Sequence, residues 1–116
     1  QYINTYLFPH FAKIDANLGT VYLTILQRRR AQMSPDMAQA YMEAAREHYR
    51  WAAWLNPYDT DVLCSLASIA LLYDRDPATA TAYLNRVLTI DPQNRYAIHV
   101  LQSLQKHAGS SDGGWQ

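Results

Sequence analysis

Cysteine is almost missing from this chain of 116 residues. Cys64 stands alone, so no disulfide can close within the chain and no redox compartment follows from it. Glycine is equally scarce, with four residues, three of them in the last eight positions. That excludes a glycine-rich phosphate loop or a nucleophile elbow from the body of the chain. Net charge is absent too, because ten basic residues offset ten acidic ones. A neutral chain lacks the field on which non-specific nucleic-acid and anionic-membrane binding depend, and nucleic acid is not an expected partner. No apolar run reaches the roughly 18 residues that would span a bilayer, and no signal segment with a charged start and apolar centre opens the sequence. The expectation is a soluble segment without direct membrane insertion, cytoplasmic or periplasmic. Because it opens on Gln1 and not Met, it is expected to be a processed protein or a domain cut from a longer one.

What is present is a folding chain. Its hydrophobic fraction of 49% and charged fraction of 17% fit one domain with a shared core. Apolar residues at Ile14, Leu18, Val21, Tyr22, Ile25 and Leu26 recur at spacings of three and four. They predict a helix over about 11–31 with that stripe inward. Ser34-Pro35-Asp36 carries an N-cap, a proline suited to the first turn and an acid favourable to the dipole. It opens a second helix, with Ala38, Tyr41, Ala45, Tyr49, Ala52 and Leu55 on one face, that Pro57 stops. Asp59 or Thr60 can cap a third, whose apolar residues surround it and predict burial on more than one side. Asp76-Pro77 opens a fourth over about 77–90, with Ala80, Leu84, Val87 and Leu88 inward, and a fifth runs from about Arg95 to His107. No stretch alternates as a half-buried strand would. The expected organisation is an N-terminal segment or linker over 1–10, a helical domain over 11–107 and a flexible tail over 108–116. In that tail Trp115 is the one candidate anchor.

The helix stops repeat. Leu55-Asn56-Pro57-Tyr58-Asp59 and Ile90-Asp91-Pro92-Gln93-Asn94 share one chemistry, with prolines 35 positions apart (92 minus 57). A period of this size signals stacked helical units that cannot bury their faces alone. On these residues the sequence resembles the tetratricopeptide repeat family. Leu18-Gly19 and Tyr22 match the first helix of its unit; Ala45, Tyr49, Ala52 and Pro57 match the second. In the next unit Leu63, Leu66, Ala67 and Ala70 are followed by Ala80, Leu84, Val87 and Pro92, and the helix from Arg95 resembles a polar capping helix. About fourteen residues beyond the family's spacing separate the halves of the first unit, which predicts two added turns on each helix. The resemblance implies an all-α fold of about five helices. Antiparallel helix-turn-helix repeats would stack as a short right-handed α-solenoid.

The resemblance also implies a function: holding a protein or peptide partner in a concave groove lined by the first helix of each unit. The positions that would face such a groove are Lys13, Ala16, Thr20, Leu23 and Thr24; Asp61, Cys64, Ser68, Leu71 and Leu72; and Tyr96, His99, Ser103, Lys106 and His107. Family members that grip a carboxylate tail use Lys, Asn and Arg at two positions per helix. Ala16 and Thr20, Cys64 and Ser68, and His99 and Ser103 occupy them here, so no carboxylate clamp is expected. The other resource is aromatic. Trp51 and Trp54 lie on one side of the second helix with Tyr58 just beyond, either packing against the following helix pair or forming an exposed interface patch.

Catalysis is not expected. His10, His48, His99 and His107 show no metal-ligand spacing, Glu47 and His48 are adjacent and diverge, and Cys64 sits in an apolar helix without a base. Neither cofactor nor metal is implied. Two alternatives accompany the interaction module: a homodimerising self-assembly domain, and the soluble repeat appendage of a larger bacterial membrane or polysaccharide-related protein.

Overall fold

The computed structural model describes residues 8–109, and among them every regular element is helical. Five α-helices follow in order: α1 (Phe8–Arg29), α2 (Pro35–Leu55), α3 (Thr60–Leu72), α4 (Pro77–Ile90) and α5 (Arg95–Gly109). A single 3-10 turn, Arg30–Gln32, lies between α1 and α2. The aromatic N-terminal stretch and Trp115 fall largely or wholly outside the described residues. The chain divides into two compact units, one ending at Val62 and one beginning at Leu63.

Helix boundaries follow local chemistry. Ser34 caps α2 by accepting the Met37 N–H at 3.1 Å, with Pro35 at the first position, where a missing N–H costs nothing. Asp59, not Thr60, caps α3: its Oδ1 accepts from the N–H groups of Asp61 and Val62. Asp76 caps α4 through the Thr79 N–H and also accepts the Thr79 hydroxyl at 2.6 Å. Asn94 caps α5 through the Ala97 N–H at 2.9 Å. Helix α1 begins one turn earlier than the periodicity predicts, because Pro9 is tolerated within a first turn.

In the first unit α1 packs on α2. The inward residues of α2 are Ala38, Met42, Ala45, Tyr49 and Ala52, alternating four and three apart as a knobs-into-holes seam requires. Against them α1 presents Ala12, Gly19 and Leu26, spaced by sevens and buried. This corrects the N-terminal part of the stripe expected for α1, while Leu26 is buried and Tyr22 and Ile25 half-buried as expected. Ile14, Leu18 and Val21 remain 53%, 38% and 51% exposed, and Phe11 is exposed beside them. The cause is steric. Two backbones approach most closely over small side chains, so the Ala12–Gly19 row takes the contact. The bulkier row, about 100° around the helix per residue of offset, is turned aside.

Gly19 shows how tight that contact is. A Cβ there would meet three atoms of the Tyr49 ring at 3.0 Å. The Tyr49 hydroxyl lies 2.8 Å from Thr20 Oγ1, and Thr20 gives its own hydrogen to the Ala16 carbonyl at 3.0 Å, so Tyr49 is the donor. A second contact joins the same helices at partly exposed positions. Asp15 Oδ1 bonds His48 Nδ1 at 2.9 Å, and the His48 ring stacks on Tyr22, 5.6 Å away and 7° from parallel. Tyr22 in turn meets Tyr41 edge to face at 5.8 Å.

In the second unit α4 packs on α5, burying Ala80, Leu84, Val87, Ala97 and Leu104. Leu63, Leu66, Ala67, Ile69 and Ala70 of α3 are buried too, as the apolar girth of that helix predicts. Helix α3 ends at Leu72, and in the turn that follows Arg75 takes a left-handed φ of 53° while the Asp76 N–H reaches the Ala70 carbonyl at 2.8 Å.

The 35-residue period recurs in the bonding itself. Asn56 N–H donates to Ala52 O, and Asp91 N–H to Val87 O. Asn56 Oδ1 accepts from Tyr58 N–H, and Asp91 Oδ1 from Gln93 N–H. Asp59 N–H reaches Asn56 O, and Asn94 N–H reaches Asp91 O; the caps at Asp59 and Asn94 then take the N–H groups of Val62 and Ala97. Burial recurs at the same offset, since Ala45, Tyr49 and Ala52 correspond to Ala80, Leu84 and Val87. Helix α2, at 21 residues, exceeds α4, at 14, by seven, which is the two added turns expected.

Candidate interaction surface

Successive helical residues turn by about 100°, so Glu47 and Trp51 lie on the far side of α2 from Ala45 and Tyr49. The seam with α1 therefore turns Glu47, Arg50, Trp51 and Trp54 outward. Together they line an open cleft of about 360 Å³. The two indoles meet edge to face with centroids 5.8 Å apart and planes at 85°. Trp51 is 49% exposed and Trp54 70%, and Tyr58, just past the end of the helix, is exposed as well. Exposure of the rings is what the interface-patch alternative requires. Trp and Arg are also the residue types that carry most binding energy in protein interfaces.

The polar rim of this cleft differs from the rest of α2. Arg46 reaches Glu43 one turn back at 2.6 Å, closing an ion pair within the helix. Glu47 and Arg50 have the same spacing, yet neither forms an ion pair or hydrogen bond among the described residues. Both signs of charge therefore stand open beside the indoles.

The second unit has a larger cleft of about 720 Å³ between α4 and α5, lined by Pro77, Ala78, Thr81 and Asn85 on one side and Leu101, Leu104 and Gln105 on the other. Its size is not matched by its chemistry. Small and amide side chains dominate, and the only large apolar surface is that of two leucines, one of them buried.

The residues placed by resemblance on a groove divide between the units. In the first, Lys13, Thr20 and Asp61 are exposed while Ala16, Leu23 and Thr24 are half-buried. Thr20 is committed to Tyr49 and Ala16. In the second, Leu72, Tyr96, His99, Lys106 and His107 are exposed and Cys64, Ser68, Leu71 and Ser103 half-buried. The structure joins Ser68 and Tyr96 through their hydroxyls, linking α3 to α5. Leu72 is the most exposed aliphatic of the set, at 67%.

The Asp15–His48 pair escaped the sequence. Its partners lie 33 positions apart, and no local motif announces a contact that depends on how α1 is rotated against α2. Among the described residues no group of three or more His, Cys, Asp and Glu side chains is placed to hold a metal, and no helix is long and apolar enough to cross a membrane. The acidity of Asp76, at the start of α4, is moved by its neighbours. The Thr79 hydroxyl, then the Thr79 N–H, hold its carboxyl below the usual range against a smaller opposing effect of burial. That is a helix cap and not a reactive centre.

The chain matches no protein-family model, no curated protein and no solved structure.

Proposed function

We propose that this chain is a helical-repeat interaction domain, of the kind the tetratricopeptide resemblance suggests, that holds a protein partner on the outward aromatic face of α2. The observation that carries the reading is the pair of exposed indoles, Trp51 and Trp54, fixed edge to face on a helix whose opposite side is fully committed to α1. Burying such rings on a partner removes a large apolar area from water at little cost in side-chain entropy, since each has only two rotatable bonds. Stacking of the units into a solenoid is part of this proposal, supported by the turns and burial that recur 35 residues apart.

The reading is non-catalytic. Support comes from the site's composition: two indoles, one carboxylate and one guanidinium, with no nucleophile and base held together. The test compares proteins retained by the intact domain with those retained by Trp51→Ala/Trp54→Ala and by Leu72→Glu, a change on α3. Loss confined to the tryptophan variant supports the α2 face. Loss confined to Leu72→Glu moves the contact to the positions implied by family resemblance.

A further inference from the structure

Resting on the reading of the α2 face as a protein contact, we infer that its partner is a second copy of this chain. The two copies would pair α2 against α2 about a two-fold axis, with Glu47 of each facing Arg50 of the other.

Charge complementarity selects a second copy. In a two-fold interface the same patch meets itself, so residue i faces j while j faces i. A patch of a single sign repels its own copy. One with an acid and a base beside an apolar centre attracts it. On α2 the centre is the Trp51–Trp54 pair, and the acid and base are Glu47 and Arg50, one helical turn apart in the same cleft. These two charges are left open, whereas Glu43 and Arg46, at the same spacing, close on each other within the helix. Two-fold pairing supplies both open charges at once, because an antiparallel partner helix presents Arg50 where Glu47 needs it and Glu47 where Arg50 needs it. The zero net charge of the chain adds no long-range repulsion between copies.

Area sets the strength. Exposed aromatic surface of this kind contributes about 150–250 Å² per ring at most. Trp51, Trp54 and Tyr58 are 49%, 70% and 74% exposed, so the three rings supply about 480 Å² at most, and with two charged side chains the patch does not exceed the roughly 800 Å² per partner of a stable interface. The dimer is therefore a concentration-dependent one and not an obligate one.

The test uses sedimentation equilibrium on the full chain over a wide concentration range. The wild type is expected to move from monomer towards dimer mass as concentration rises. Glu47→Arg places two arginines opposite each other and Arg50→Glu two glutamates, so each variant alone should dimerise at least about tenfold more weakly. Mixed in equal amounts, the two variants regain attraction at both contacts, and a heterodimer near wild-type strength is expected. Circular dichroism of each variant confirms that the helices remain. A wild type monomeric at every concentration overturns the inference. So does a dimer indifferent to the two charge reversals, or a mixture no tighter than its components. If the wild type is monomeric but retains another protein through Trp51 and Trp54, the second-copy inference falls and the proposed function stands. A dimer that survives Trp51→Ala/Trp54→Ala overturns the second-copy inference, and if that variant also retains every protein the wild type retains, the proposed function falls with it.

Discussion

At the scale of single residues, two positions hold the backbone in places their neighbours dictate. Gly19 is present because the Tyr49 ring covers the site where a Cβ would be. Alanine would gain about 1 kcal/mol in helix propensity but force apart a contact whose distortion costs about 1–3 kcal/mol. Gly19→Ala should therefore lower stability by about 1 kcal/mol in denaturant titration, and the loss should shrink when Tyr49 is also changed to Leu, the residue found 35 positions on at Leu84. Alanine raising stability would show that the ring moves freely. Arg75 is the opposite case, a side chain in the left-handed region at φ 53° that glycine occupies without strain. Arg75→Gly should raise the unfolding free energy by about 0.5–1 kcal/mol, read as a higher thermal midpoint. Gly19 was legible in sequence as a small residue in a repeat motif. Arg75 was not, because 73–75 has no glycine or asparagine and its one residue tolerant of the left-handed region, Asp74, is not the residue that adopts it. His48 was hidden for a different reason: adjacency to Glu47 says where it does not point, while its actual partner, Asp15, is fixed only by helix packing.

At the scale of elements, the caps make a pH-dependent prediction. The folded-state acidity of Asp76 is shifted so that the carboxylate is favoured, chiefly by the Thr79 hydroxyl. A depressed folded pKa contributes stability that is complete above the ordinary carboxylate range and disappears as pH falls through the folded value. Asp76→Ala should lower the thermal midpoint at neutral pH, and the gap from wild type should close as the solution is acidified through and below that range. Ser34→Ala supplies the contrast. Its hydroxyl does not titrate, so its cost of about 1 kcal/mol should remain constant across the same pH series. The caps and stops were the most legible part of the chain, because Ser, Asp, Asn and Pro act on their own neighbours within a turn. The rotation of α1 was the least legible. Periodicity identified an apolar stripe, but it could not say that small residues would outcompete Ile14, Leu18 and Val21 for the contact with α2.

At the scale of the whole molecule, the repeating turn chemistry and repeating burial describe a chain built from one kind of unit used twice, the first with lengthened helices. Composition and register in the sequence already singled out Trp51, Trp54 and Tyr58, and left open whether they were covered. The commitment of Ala38, Met42, Ala45, Tyr49 and Ala52 to α1 leaves the indoles on the far face of α2. The unclosed charges of Glu47 and Arg50 had no sequence signal, since the neighbouring Glu43 and Arg46 have identical spacing and do pair. On this reading the outward face of α2 is where a protein binds. The most direct test is quantitative affinity isolation of the tagged domain, with a differently tagged second copy present among the candidate partners. Wild type, Leu72→Glu and Trp51→Ala/Trp54→Ala are matched for helicity and compared. Retained protein should fall to background for the tryptophan variant alone. Retention by that variant equal to wild type, or loss on Leu72→Glu instead, would contradict this reading.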